Sequence, residues 1–122
     1  WTPPICVDVR DLLDPPIKAQ VDFRQLDHDS FFPSAPIVDG IIVDCSGSLS
    51  RRFFDEQIWP QLAAGGFFLC HDTISHDGPR TLQQSLLETP VPGQWVCPLG
   101  KKGLTDAGEE LEGVLLVRKD DH

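Results

Sequence analysis

Two stretches in the middle of the chain decide its fold: VDGIIVD at residues 38–44 and LAAGGFFLCHD at residues 62–72. The first contains the apolar run 38–43 and the second contains the apolar run 67–70. Both runs are too short for typical helices and are rich in β-branched or aromatic residues, which predicts two buried strands. Each of the two stretches ends in an aspartate.

A helix is predicted between these two strands. Phe54, Ile58 and Leu62 recur at a spacing of four residues, which gives one apolar stripe. Ser48 or Ser50 can cap its start through a side-chain oxygen. Pro60 ends the helix early because proline lacks a backbone N–H. The Gly-Gly pair at residues 65–66 then predicts a turn into the strand at 67–70.

Similar signals continue in both directions along the chain. Short apolar runs predict further strands at residues 5–9, 21–26 and 113–117 and a weaker one at 94–97. A second helix is predicted from about Pro79 to Glu88, with Asp77 as its cap and with a buried face formed by Leu82, Leu86 and Leu87.

Strands that alternate with helices predict an α/β fold, in which a mostly parallel sheet carries helices on its faces. The polar stretch 98–112 contains three glycines, which predicts a hairpin loop before an antiparallel last strand. We expect residues 1–122 to form a single domain, since this length suffices for one domain and is short for two.

Composition excludes several function classes. The chain has 10 basic and 19 acidic residues, and a net charge of −9 argues against nucleic-acid binding. No apolar run is long enough to span a bilayer, and no secretory signal is visible. The four cysteines form no CxxC pair, so reduced buried thiols are expected. These features predict an intracellular, reducing compartment, either the cytoplasm or the interior of an organelle.

Acidic residues lie at or just after the end of each of the first four predicted strands. In a parallel α/β sheet, ligands collect at the carboxyl ends of the strands, so these positions are candidates for a binding site. Acids also form turns and helix caps, which would explain one or two of them without any ligand. The candidates are Asp8, Asp27 with Asp29, Asp44, and Asp72 with its neighbour His71.

The ordered set of motifs resembles the class I, Rossmann-like methyltransferases that use S-adenosylmethionine (SAM). The features that carry the resemblance are a strand ending in Asp44, the Trp-Pro-x-Leu sequence at 59–62, the Gly-Gly pair and the His-Asp ending at 71–72. The similarity is to small-molecule O-methyltransferases of the macrocin and catechol type. It covers residues 36–88, and residues 5–30 are collinear with the family.

The resemblance implies a role for each of these positions. Asp8 would hold the ribose hydroxyls of SAM, and Asp27, or Asp29 with Ser30, would lie near the adenine. Asp44 and Asp72 would bind a divalent cation such as Mg²⁺, which prefers oxygen ligands. His71 could serve instead as a general base, so His71 and Asp72 are the catalytic candidates.

The sequence also departs from the family pattern. The family has a glycine-rich loop after its first strand, whereas the first glycine here is Gly40. The family order across the sheet is 3-2-1-4-5-7-6, and residues 5–9 match its second strand. The chain is therefore expected to lack the central strand, so that an unseen segment of the polypeptide or a protein partner completes the sheet. No His follows Asp44 closely, although the family often has one there.

Two function classes remain open from the sequence. One is an O-methyltransferase that acts on a small-molecule substrate. The other is a catalytically inactive methyltransferase-like subunit with a structural or accessory role in a larger complex. A different nucleotide-binding α/β domain is disfavoured because no phosphate-binding loop is visible.

Overall fold

The structure is a computed structural model that describes residues 2–8, 10–32, 35–44, 49–71, 73, 76–99 and 113–120, without the side chains of His28, Asp29 and Leu99. The chain divides into two compact units, Trp1–Ala35 and Pro36–His122. Within the described residues, no helix combines the length and the apolar character that crossing a membrane requires.

The first unit contains two short strands and two single-turn helices. In chain order they are β1 (Ile5–Asp8), α1 (Pro15–Lys18), β2 (Asp22–Gln25) and α2 (His28–Phe31). β1 and β2 form a parallel pair in which Ile5 lies beside Asp22 and Asp8 lies beside Gln25. The short α1 begins at a proline, which has no N–H to leave unsatisfied in the first turn.

The second unit contains a four-stranded sheet and two helical segments. Its regular elements are β3 (Val38–Val43), α3 (Arg51–Phe53), β4 (Leu62–His71), α4 (Asp77–Glu88), β5 (Gln94–Leu99) and β6 (Val114–Lys119). The strand order is β3-β4-β6-β5. β3 and β4 are parallel, whereas β6 is antiparallel to both β4 and β5.

This topology confirms the predicted α/β fold with an antiparallel last strand. β3, β4 and β5 share one direction, and the opposed β6 lies between two of them. If β1 and β2 are the family's second and third strands, the two sheets reproduce the partial orders 3-2 and 4-5-7-6. Among the described residues, β1 pairs with β2 and not with β3, as expected if the central strand of the family comes from elsewhere. That the chain lacks this strand stays a prediction.

The core of the second unit uses the stripe that the sequence predicted. Phe54 and Ile58 are fully buried and Leu62 is 2% exposed. Other buried side chains come from the sheet and from α4, namely Phe68, Cys70, Leu82, Leu86, Leu115 and Val117. Leu62 belongs to the stripe, but it is the first residue of β4 and not part of the helix.

The helical segment changes form along its length. Ser50 caps it, since its hydroxyl accepts a hydrogen bond from the Phe53 N–H at 3.1 Å. α3 continues as a π-helical turn over Phe54–Ile58 and as a 3₁₀ turn over Trp59–Gln61. The α-helical ladder cannot pass through Pro60, which has no N–H to donate.

Lys119 caps the carboxyl end of this helical segment. Its Nζ donates to the carbonyl oxygens of Trp59 and Leu62, both at 3.0 Å, and lies 4.8 Å from the centroid of the Trp59 ring. Carbonyl groups at a helix end lack intrahelical partners, so this ammonium supplies hydrogen bonds that the ladder cannot.

Three local expectations need correction. α4 begins at Asp77, so His76 and not Asp77 occupies the capping position. Leu87 is 51% exposed and does not belong to the buried face of α4. The Gly-Gly pair lies inside β4 and not before it, at an irregularity where the pairing with β3 shifts register. Gly65 has a φ of 80°, a conformation that favours glycine.

Arg51 joins the start of α3 to the end of α4. Its Nε donates to both carboxylate oxygens of Asp55, at 2.9 and 3.1 Å. Its Nη1 donates to the carbonyl oxygens of Ser85, at 3.1 Å, and Thr89, at 2.6 Å. One guanidinium therefore satisfies carbonyls at the carboxyl end of α4, where positive charge is favourable.

Replacing Arg51 by Ala is expected to lower the free energy of unfolding by about 1–2 kcal/mol, because carbonyl groups at the end of α4 lose a charged donor. Arg52→Ala is the matched control, since the side chain of Arg52 is 83% exposed and its Nε donates to Glu56, one turn along the same helical segment. Its loss should cost no more than about 0.5 kcal/mol. Urea denaturation of both variants measures the difference, and equal effects would show that the contacts with α4 are not stabilising.

Candidate functional site

The carboxyl ends of β3 and β4 bring Asp44 and His71 together. The Nδ1 atom of His71 lies 3.2 Å from the Oδ1 atom of Asp44. The side chain of His71 is 36% exposed and that of Asp44 is 70% exposed, so both groups remain accessible to a ligand from solvent. This contact joins residues 27 positions apart and depends on the parallel pairing of the two strands.

The register of the sheet explains the contact. Val43 pairs with Cys70, so the next residues on each strand, Asp44 and His71, are neighbours on the opposite face. Val43 is 9% exposed and Cys70 is fully buried, which fixes that face toward the core. The burial of one pair therefore directs the other pair away from the core. Val114 pairs with His71 on its other side.

An imidazole that donates from Nδ1 to a carboxylate is held in one tautomer and one ring orientation. Nε2 is then the nitrogen with the acceptor lone pair. Such a pair can accept a proton from a hydroxyl group, and the carboxylate stabilises the imidazolium that forms. A pair of this kind is compatible with proton transfer.

The predicted metal site is described only in part. Asp72, predicted both as a catalytic residue and as a metal ligand, lies outside the described residues. Within the described part of the chain, no group of three or more His, Cys, Asp or Glu residues could hold a metal ion. Because one of the two predicted ligands is outside the described residues, the metal site at Asp44 and Asp72 stays a prediction.

The predicted cofactor residues lie at the carboxyl ends of the strands in the first unit. Asp8 ends β1 and is exposed, and its Oδ1 accepts a hydrogen bond from the Arg10 N–H at 3.0 Å. Asp27 lies two residues after β2, and its Oδ1 accepts from the Ser30 N–H at 2.8 Å, at the start of α2. The side chain of Asp29 lies outside the described part.

These contacts show that Asp8 and Asp27 have local structural roles. Each carboxylate fixes a turn at a strand end, as acids in such positions commonly do. A carboxylate has about four lone-pair sites, so the backbone hydrogen bond from Arg10 leaves capacity on Asp8 for ligand hydroxyls. The turn role and a ligand-binding role are therefore compatible at Asp8.

The second sheet has an exposed face that the sequence analysis missed. Ile42 is 68% exposed, Phe67 41% and Trp95 72%. The exposed Arg118 lies between Phe67 on β4 and Trp95 on β5. Ile42, Phe67 and Trp95 lie in predicted strands, whereas Arg118 directly follows the predicted strand 113–117. Apolar side chains in such a group are typical of an interaction surface.

Comparison with solved structures shows the fold that this chain shares. The cofactor-bound protein Rv0187 from MTB matches with a TM-score of 0.67 and 10% sequence identity, over 97% of this chain and 62% of that protein. A "putative caffeoyl-CoA O-methyltransferase" from Staphylococcus aureus matches with a TM-score of 0.60 and 16% identity, over 85% of this chain and 54% of that protein.

At these identities the comparison establishes the fold alone. The chain spans about 62% and 54% of the lengths of these two proteins. No protein-family model matches the sequence, and no curated protein matches it. The fold is therefore methyltransferase-like, and its activity has to be argued from the residues.

Proposed function

We propose that this chain is a SAM-dependent methyltransferase-like domain that acts on a hydroxyl group of a small molecule. The observation that supports this most directly is the strand order, which reproduces two parts of the methyltransferase sheet. The candidate residues occupy the carboxyl ends of strands, where α/β folds bind their ligands. The similarity to a protein described as an O-methyltransferase supports the same reaction class.

The cofactor role falls on the first unit. Asp8 would accept hydrogen bonds from the ribose hydroxyls, and Asp27, or Asp29 with Ser30, would lie near the adenine. The exposed carboxylate of Asp8 suits this role because it retains lone pairs beyond its bond to Arg10. SAM would supply an electrophilic methyl group. The chain has no glycine before Gly40, so the backbone contacts of a glycine-rich loop do not come from these residues.

The proton-transfer role falls on the second unit. His71 would take the proton of the substrate hydroxyl as the methyl group is transferred. The resemblance also implies Mg²⁺, which Asp44 and Asp72 would hold through their carboxylate oxygens. Cys6, Cys70 and Cys97 form no disulfide, in keeping with a reducing intracellular compartment.

Cofactor binding tests this proposal. Isothermal titration of the folded chain with the product S-adenosylhomocysteine is expected to show weak binding, with a dissociation constant of about 1 mM. Asp8→Asn should weaken it about tenfold, because a charge-assisted hydrogen bond to the ribose is lost. Asp14→Asn is the matched control, since Asp14 makes no side-chain cap bond at the start of α1. A dissociation constant that is unchanged in Asp8→Asn, or no binding at millimolar concentrations, would contradict the cofactor assignment.

An accessory, non-catalytic subunit is the second candidate, and the edge of β3 favours it. Among the described residues, β3 pairs with β4 on one side and with no strand on the other. Ile42 on the same strand is 68% exposed. We propose that a strand from a protein partner, or from a further segment of the polypeptide, would pair with this edge. Unpaired strand edges readily accept such additions.

A further inference from the structure

The exposed face of the second sheet contains two rows of residues that each cross the four strands. In the first row, Ile42 pairs with Leu69, Leu69 with Leu116, and Leu116 with Cys97. Ile42 and Cys97 are exposed, and the two leucines are half-buried. Residues that pair directly across a sheet have their side chains on the same side of it, so these four side chains form one apolar band.

The second row lies two residues farther along the strands, about 7 Å from the first. Phe67 on β4 pairs with Arg118 on β6, and Arg118 pairs with Trp95 on β5. Gly40 completes this row on β3, and the Phe67 ring lies over it, since a Cβ atom at Gly40 would be 2.6 Å from two ring carbons. We call these two rows the open face.

The helical segment of the second unit lies on the other side of the sheet. The Phe54 ring contacts the Phe68 ring there, edge to face, with 5.3 Å between the centroids, and both residues are fully buried. Sheets with parallel strands commonly carry helices on both faces, because both faces are apolar. The open face is apolar too, but its outer side chains stay exposed in the described part of the second unit, so a helix is the element that fits it.

The residue types and the shape of the open face favour a protein over a small molecule as its partner. Trp and Arg are the residues that most often carry binding energy in protein interfaces, and Phe is enriched there as well. Trp95 is 72% exposed and has Arg118 beside it. Sites for small molecules are concave, whereas a sheet surface on which the Phe67 ring lies over Gly40 is flat.

Arg118 indicates the charge that such a partner carries. The chain has 19 acidic and 10 basic residues, and most of its described basic side chains pair with an acid of the chain, namely Lys18, Arg24, Arg51, Arg52 and Arg80. In the described part of the chain, no acid forms an ion pair with Arg118, so its guanidinium is available to a carboxylate of another molecule. A second copy of this chain would add the same net charge of −9, which opposes association.

We propose that the open face binds an amphipathic helix of a different protein, and that the apolar stripe of this helix contains one Asp or Glu that pairs with Arg118. A helix is about 10 Å wide and covers about two strands. Along β4 and β6 it would contact Leu69, Leu116 and Phe67, with Trp95 at its side. This inference goes beyond methyl transfer and does not require SAM to bind.

Synthetic helical peptides provide the probe for this surface. One peptide carries leucines at every third or fourth position with a single Glu at the centre of that stripe, and its counterpart carries Lys in place of the Glu. The whole chain is expected to bind the Glu peptide at least about tenfold more tightly than the Lys peptide, as measured by fluorescence anisotropy of labelled peptide. Arg118→Glu should reverse this preference. Trp95→Ala should weaken binding of the Glu peptide about tenfold.

Arg52→Glu and Leu87→Ala are the matched controls, because these side chains are exposed on α3 and α4 and lie outside the open face. Neither should change peptide binding, and circular dichroism verifies that all variants are folded. A preference that is unchanged in Arg118→Glu, or no binding of either peptide at millimolar concentrations, would overturn the proposal. A dimer in sedimentation experiments that dissociates in Trp95→Ala would also overturn it, since a second copy would then cover the face.

Titration with S-adenosylhomocysteine separates this inference from the proposed function. A chain that binds the Glu peptide with the expected preference but does not bind S-adenosylhomocysteine would support the docking surface and remove the cofactor assignment. A chain that binds S-adenosylhomocysteine but neither peptide would keep the proposed function and remove the docking surface.

Discussion

Phe54→Ala is expected to lower the free energy of unfolding by about 3–5 kcal/mol, a large part of the stability of a domain of this size. Phe54 is fully buried. Its ring centroid lies 5.3 Å from that of Phe68 on β4, edge to face, and 5.8 Å from that of Trp59. Removing the ring leaves a cavity between the helical segment and the sheet, where two aromatic contacts are lost together.

Leu87→Ala is the control for this prediction. It also truncates a large apolar side chain, but Leu87 is 51% exposed on α4, so the change should cost less than about 1 kcal/mol. Urea unfolding followed by tryptophan fluorescence is suitable, since Trp59 lies beside the proposed cavity. Equal midpoints for the two variants would mean that Phe54 does not anchor this core.

The strands and the buried stripe were predictable because they depend on local patterns. Short β-branched runs located the strands, and the spacing of Phe54 and Ile58 located the buried side of the helical segment. The bounds were less accurate, since β4 begins at Leu62, five residues before the predicted Phe67. The additional residues at the start of β4 are accommodated by a shift in its pairing register with β3. Such a shift depends on both strands together, so the sequence of one strand does not predict it.

The candidate site was predictable in its location but not in its pairing. Acids at the ends of apolar runs identified Asp8, Asp27 and Asp44, and a parallel sheet places such residues at the carboxyl ends of its strands. Which side chains touch depends on the residue-by-residue register of β3 and β4. That register places His71 beside Asp44, a contact that the sequence analysis did not predict.

The same register explains the Gly-Gly pair, and Gly66→Ala is expected to lower the free energy of unfolding by about 1–3 kcal/mol. A Cβ atom at Gly66 would lie 2.8 Å from the carbonyl oxygen of Asp39 on β3 and 2.8 Å from that of Ala63 on β4. Both are backbone atoms, and moving them would disturb the pairing of the two strands whose ends hold Asp44 and His71.

Gly40→Ala provides a matched control, because its Cβ atom would come even closer to a neighbour, 2.6 Å from two carbons of the Phe67 ring. That ring is 41% exposed and can rotate toward solvent, whereas a strand carbonyl cannot. Replacing Gly by Ala lowers the conformational entropy of the unfolded chain, which stabilises the folded state and should offset the cost of rotating the Phe67 ring. The net change in the free energy of unfolding should therefore stay within about 0.5 kcal/mol. Urea denaturation of both variants measures the contrast. If Gly40→Ala is the more damaging variant, the close approach of β3 and β4 at Gly66 is not the constraint that selects glycine there.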